Sequence, residues 1–299
     1  MTKNEFVLFA KDLAEKIEMP DDATKVILEE ADENFASEKI YNQCVELNDR
    51  LFSKGGDMFR AIVDFLDDNE GKDRLRFNLF LSFFNAWTTK QMYAERGWSD
   101  EVYYQSMYDL TIWTKVTFKR FGWWGLDNYD WVNHFLRCII VRLGRLQFHV
   151  ITYDHADFEH AGVRVREGDK VINIHIPEGD ALTKEKRMDA YKRAYKFFGC
   201  TGKAVFICDS WLFYEKHREF LQPNSNILDF MNDFHFIEYS ESHDLGDMWR
   251  VFGFPDDYSD LTKLPRNTGM QRAYADWLIS HGTTGSACGV FIFDGENIL

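Results

Sequence analysis

The chain has 299 residues, 45% of them hydrophobic and 28% charged, enough for about two ordinary domains with sizeable cores. Its formal net charge of −14 argues against a general nucleic-acid binder and against docking on anionic lipid, because both present phosphates that an acidic surface repels. The five cysteines are odd in number, widely spaced and form no CxxC, which reads as a reducing compartment and not a disulfide framework.

The first residues lack a secretory pattern. Lys11, Asp12, Glu15 and Lys16 interrupt the apolar stretch, while Phe6, Phe9, Leu13 and Ile17 share one face of an amphipathic helix. The most apolar run, Phe77 to Thr89, is too short to span a bilayer. Both features place the expected location in the cytoplasm. Met58, Ile62 and Phe65 predict a further helix. Leu75 to Arg96 is long, aromatic and free of breakers, which predicts a central buried helix. Tyr103, Met107, Leu110, Thr114, Thr117 and Phe121 line another, capped by Ser99 or Asp100. Val132, Phe135, Leu136, Ile139 and Ile140 make the next face, with Asp127 as its candidate cap.

The period then changes. Leu146, Phe148, Val150 and Thr152 alternate as on a strand. Val163 and Val165, then Val171 to Ile176, read as a hairpin about the turn Glu167 to Lys170. A helix from Thr183 to Phe198, a buried strand from Ala204 to Cys208 and a helical stretch from Tyr214 to Leu221 follow. Phe234 to Tyr239 and Met248 to Phe252 are expected as antiparallel strands. Asn267 or Thr268 caps a helix running to Ile279, and Cys288 to Phe293 closes the chain as a strand. The expected fold is a helical N-terminal part, residues 1–138, and an α/β C-terminal part, residues 139–299, with a mixed, mostly antiparallel sheet flanked by helices.

Several segments of the second part are more specific: RLGRLQ at 142–147, HIPEG at 175–179, CDSWL at 208–212, Ser225-Asn226-Ile227 with Phe230 and Phe234 beyond it, and TGMQR at 268–272. In this order and spacing the chain resembles a bacterial two-domain family of acyltransferases, in which a helical N-acyltransferase N-terminal domain precedes a GNAT-like C-terminal domain. The resemblance implies transfer of an acyl group from a thioester of coenzyme A type to a small amine or hydroxyl acceptor. It also implies an acyl-coenzyme A cleft where two neighbouring strands splay apart, and a pyrophosphate seat at the N-terminus of the following helix.

Placed on this chain, the resemblance makes Val171 to Ile176 the central strand and Pro177 to Thr183 the phosphate loop, with Pro177, Gly179, Leu182 and Thr183 as its cofactor-binding candidates. The loop has a single glycine amid Glu178, Asp180 and Glu185, which repel a pyrophosphate and are partly offset by Lys184, Lys186 and Arg187. That departure motivates the alternative reading, a non-catalytic ligand- or protein-binding module derived from the same fold. His175, at the end of the central strand, is either the base or an orienting residue, or a histidine bonded within the sheet edge. Ser210 is either the proton donor to the leaving group or, like Asp209, a helix cap. Trp211 lines a ligand pocket or packs in the core. Arg145 and Gln147 share a strand face, where a buried Arg meets either a substrate anion or one of the chain's own carboxylates. Ser225 and Asn226 bind substrate or order a turn, and Gln271 has the same ambiguity. Asp154, His155, Asp157, Glu159 and His160 group potential ligands but lack the i,i+4 histidine pair of a helical zinc site, so no metal is expected.

Overall fold

A computed structural model describes residues 1–53, 71–254 and 258–299. The expected helix through Met58, Ile62 and Phe65 lies outside them. The described chain divides into two compact units, Met1–Arg142 and Leu143–Leu299.

The first unit is helical: α1 (Lys3–Lys16), α2 (Asp21–Ala36), α3 (Glu38–Phe52), α4 (Lys72–Glu95), α5 (Asp100–Phe121) and α6 (Tyr129–Leu136). α4 is apolar on nearly every side, so it can be stable only with neighbours all round. It touches α1, α2, α3, α5 and α6, and buries Phe77, Phe80, Phe83 and Phe84. Its buried polar side chains are used as ties. Asn78 donates to the Leu126 carbonyl (3.1 Å), Asn85 to the Tyr129 hydroxyl (2.9 Å) and Thr89 to the Leu136 carbonyl (2.8 Å). Ser99 caps α5 as expected. α6 begins at Tyr129 with Asn128 at its N-cap position and no side-chain cap; Asp127, expected to cap it, lies one residue earlier and is held by Arg120 at 2.8 Å.

The second unit is built on a six-stranded sheet of order β1-β2-β5-β6-β8-β7. The strands are β1 (Val141–Leu143), β2 (Leu146–Thr152), β5 (Lys170–His175), β6 (Ala204–Ser210), β7 (His235–Ser242) and β8 (Thr284–Phe293). β5 and β6 run parallel; the pairs β2–β5, β6–β8 and β7–β8 are antiparallel. A separate two-stranded ribbon joins β3 (Phe158–His160) to β4 (Val163–Val165). One sheet face buries Phe148, Phe206, Phe291 and Phe293. Here Tyr191 of helix α7 (Lys184–Phe197) packs on Phe291 with ring centroids 4.9 Å apart. The other face buries Tyr153, Val171, Ile207, Cys288 and Val290, and the β3–β4 ribbon packs against it through Phe158 and Val163.

Two expectations about strands also change. Val163–Val165 does not form a hairpin with the strand after it: β4 pairs with β3, and β5 pairs with β2. The turn itself forms, with Arg166 N–H on the Asp169 carboxylate at 2.8 Å. Tyr153 N–H then binds the Asp169 carbonyl, so the chain feeds the β2 ladder. Met248–Phe252 is helical, a 3-10 turn (Gly246–Met248) running into α10 (Trp249–Phe252). Met248 and Phe252 stand four residues apart and both enter a cluster with Leu264, Tyr274 and Leu278; that spacing is helical and not that of a strand. Two short helices, α8 (His217–Phe220) and α9 (Asn226–Met231), precede β7. The last helix, α11 (Gly269–His281), opens on a reciprocal cap between Thr268 and Gln271, which gives Gln271 its role.

Candidate active site

The parallel pair at the centre of the sheet is joined over a short stretch only. β5 and β6 are in register at Ile172–Phe206 and Asn173–Ile207, yet β5 runs on to His175 and β6 to Ser210. Beyond Asn173 the two strands share no paired residues, as they share none before Ile172. They leave His175 on one lip and Cys208, Asp209 and Ser210 on the other.

Side chains on one face of the sheet follow from alternation and register. His175 lies opposite Gln147, and Asn173 opposite His149, so these four share a face. His149 and His175 bring their Nε2 atoms within 3.1 Å, with ring centroids 4.9 Å apart. The Asn173 amide nitrogen lies 2.9 Å from the first of these nitrogens and 3.2 Å from the second. The three nitrogens lie mutually within hydrogen-bond distance, and which of them donates is set by the tautomers of the two rings. Gln147 is buried beside it.

Across the cleft, the Ser210 hydroxyl accepts a hydrogen bond from Leu212 N–H at 3.1 Å and caps the 3-10 turn Trp211–Phe213. Its own proton remains available to donate. Asp209 lies in register with Cys288 on the exposed end of β6. Two residues along β8, and so on the same face as Cys288, Ser286 lines a cavity of about 330 Å³ with Trp211, Ser240, Asp244, Met248 and Thr284.

The loop after β5 is held by its carbonyls. Arg145 donates to Pro177 O (2.8 Å) and Asp180 O (2.7 Å), and Arg187 donates to Leu182 O (2.9 Å). Thr183 caps α7, accepting from Lys186 N–H, and the Lys186 ammonium pairs with Asp180 at 2.7 Å. Ser225 likewise caps α9, accepting from Ile227 N–H at 3.2 Å, and Asn226 is the first residue of that helix.

The structure thus gathers His175, Asp209, Ser210, Trp211 and the 177–183 loop at the open end of β5 and β6. It places Ser225 and Asn226 at a helix start. Sequence reasoning passed over His149 and Asn173, and took Arg187 only as a charge offsetting the loop's carboxylates. Alternation along β2 puts His149 on the face of Gln147, but only the β2–β5 register shows that it meets His175.

Among the described residues no group of three or more His, Cys, Asp or Glu is placed to hold a metal. The 154–160 cluster is dispersed onto separate partners: His155 on Glu238 (2.9 Å), Asp157 on Arg164 (2.8 Å) and His160 on the Leu299 carbonyl (3.0 Å). Burial pushes the Cys288 thiol up to about 12, and Cys208 well above its ordinary value, which disfavours a resting thiolate at either position.

Residues 140–291 match the family model of the GNAT-like C-terminal domain, and residues 9–138 that of the N-acyltransferase N-terminal domain. The chain belongs to this two-domain acyltransferase family. No curated protein matches the sequence. Among solved structures, an acyltransferase in complex with decanoyl-CoA has a TM-score of 0.74 at 19% identity, over 94% of this chain and 86% of that one. An acyltransferase in complex with decanoyl-CoA and teicoplanin gives 0.71 at 21% identity, over 94% of this chain and 86% of that one. A mutant acyltransferase with octanoyl-CoA gives 0.71 at 22% identity with the same coverage. At these identities the likeness is one of fold, and the fold is that of the family.

Proposed function

We propose that the protein transfers an acyl group from acyl-coenzyme A to an amine or hydroxyl acceptor, at the open end of β5 and β6. The observation that carries this reading is the histidine pair on the lip of the splayed strands, next to a loop that leads into the N-terminus of a helix. A thioester lying between the strand ends has a base on one side and a hydroxyl on the other. His175, with Nε2 turned to His149, takes the proton of the attacking amine or alcohol on Nδ1. The new N–C or O–C bond forms as the thioester C–S bond breaks, and Ser210 supplies a proton to the leaving thiolate. Pro177, Gly179, Leu182 and Thr183 form the seat of the cofactor's phosphates, where the amides and dipole of α7 favour an anion.

The cavity beside Ser286 suits the acceptor. Ser240 and Ser286 offer hydroxyls that donate and accept, Trp211 an apolar wall, and Asp244 a charge for an ammonium. This supports a polar acceptor, and the solved relatives with bound acyl-CoA support the donor class. Residues 1–138 and 139–299 are proposed as the two domains. Five free cysteines and the acidic balance support a cytoplasmic protein with no nucleic-acid partner.

Turnover of decanoyl-CoA with a panel of amines and amino alcohols, followed by thiol release, tests the reading. Release that depends on an acceptor and is lost in H175A is expected. Tight binding of the thioester without turnover by any acceptor would favour the binding-module alternative.

A further inference from the structure

The loop from Pro177 to Thr183 presents a physical conflict for an acyl-coenzyme A site. Glu178 and Asp180 lie in it and Glu185 in the first turn of α7, so carboxylates surround the place where a pyrophosphate would sit. It also lacks the paired glycines that would let the backbone close on a phosphate without help. The hydrogen bonding shows what replaces them.

Arg145 grips the loop at both ends of its turn, through the carbonyls of Pro177 and Asp180. Arg187 grips it at Leu182. Arg187 is fully buried and is itself fixed by two bonds to Asp233, at 2.8 and 3.2 Å, and one to Asp229 at 2.9 Å. Tyr191 donates to the same Asp233 carboxylate at 3.1 Å. A charge this deep persists only when paired, and here it is paired and also bonded to the loop. In a trans peptide the C=O and the following N–H point in opposite directions. With the carbonyls of residues 177, 180 and 182 turned onto guanidinium groups, the N–H groups of Glu178, Ala181 and Thr183 point away from them. The amides of Gly179, Ala181, Thr183, Lys184 and Glu185 donate to no partner among the described residues.

We propose that Arg145 and Arg187 are positioning residues for the donor's pyrophosphate: they hold the loop's carbonyls from behind and so present its amides as an anion cradle in place of a glycine-rich sequence. The inference rests on the acyl-coenzyme A reading. It assigns Arg145 to the loop and not to direct contact with the acceptor. It also explains how an acidic loop serves an anion: the amides face the ligand, while Asp180 is drawn aside by Lys186.

The test compares two donors on the same variant. Octanoyl-CoA carries the pyrophosphate; octanoyl-pantetheine has the same thioester and arm without it. In R145A the kcat/KM for octanoyl-CoA falls by about tenfold more than that for octanoyl-pantetheine, the size expected for losing a charge-assisted contact, with the loss in KM. R145K, which keeps one donor to the loop, recovers part of it. R187K, which keeps the charge but not the fork, shows the same preference for the donor lacking phosphate. An equal loss on both donors, as a general loss of fold would give, overturns the proposal. So does a loss confined to kcat. Octanoyl-CoA that neither binds nor turns over with the wild-type protein, while octanoyl-pantetheine does, overturns the proposal and the coenzyme A reading together. Equal use of both donors by the wild type overturns the proposal and leaves acyl transfer standing.

Discussion

His217 is the side chain whose protonation should be felt most clearly in stability. It is fully buried, with Nδ1 on the Leu212 carbonyl at 3.0 Å and Nε2 on the Tyr274 hydroxyl at 3.2 Å. The first bond needs Nδ1–H, which leaves the Nε2 lone pair to accept from the phenol. Burial lowers its pKa to about 4 from 6.5, against a smaller opposing effect of the Leu212 bond. Above pH 6.5 both the folded and the unfolded protein carry a neutral ring. Between 6.5 and 4 only the unfolded chain takes the proton, so stability drops as pH falls through that window, by up to about 3 kcal/mol. Urea melts of wild type and H217Q at pH 7 and pH 4.5 check this: the wild type loses more on acidification, and parallel losses would refute it. At the active site, H175A lowers kcat by about 10²- to 10⁴-fold while decanoyl-CoA still binds, as expected for removal of a base. H149Q, which removes the imidazole that lies against His175, gives an intermediate loss in kcat. A kcat equal to that of the wild type would separate His149 from the chemistry.

At the scale of elements, close approaches set what can change. Gly125 lies between α5 and α6, and a Cβ there would stand 2.7 Å from Leu75 Cβ and 2.8 Å from its carbonyl carbon. Leu75 backbone is fixed by the Leu126 N–H at 2.8 Å, so it has little room to yield. G125A is expected to cost about 2 kcal/mol, read as a lower denaturation midpoint with unchanged m. The elements most legible in the sequence were those with long periods. α4, α5 and α7 follow directly from runs of apolar residues, and α5 also from its cap Ser99. The pairing of strands was less legible. Val163–Val165 and β5 flank a good turn, and local sequence favours a hairpin, but β2 offers β5 a six-residue partner with matching alternation and wins. Met248–Phe252 misleads for a related reason: five residues carry too little period to separate helix from strand, and the apolar cluster with Leu264 and Tyr274 decides.

At the scale of the molecule, the candidate site draws on residues distant in sequence. His149, His175, Asp209 and Ser286 come onto one face of the sheet only through the β2-β5-β6-β8 order. The motif HIPEG pointed to the strand end and the loop, and CDSWL to the facing lip. Neither could show that the histidine has a second imidazole beside it, or that Arg145 and Arg187 serve the loop from behind. Those relations are set by register and by a buried ion cluster, which leave no local period. No described helix is long and apolar enough to cross a membrane. The family match and the open end of β5 and β6 converge on one claim, that this cleft receives acyl-coenzyme A. Titration of the intact protein with decanoyl-CoA, followed by melting temperature, tests it most directly. Saturable stabilisation is predicted, reaching about 2.7 kcal/mol at a hundredfold excess over Kd. A melting temperature unmoved by millimolar decanoyl-CoA would contradict it.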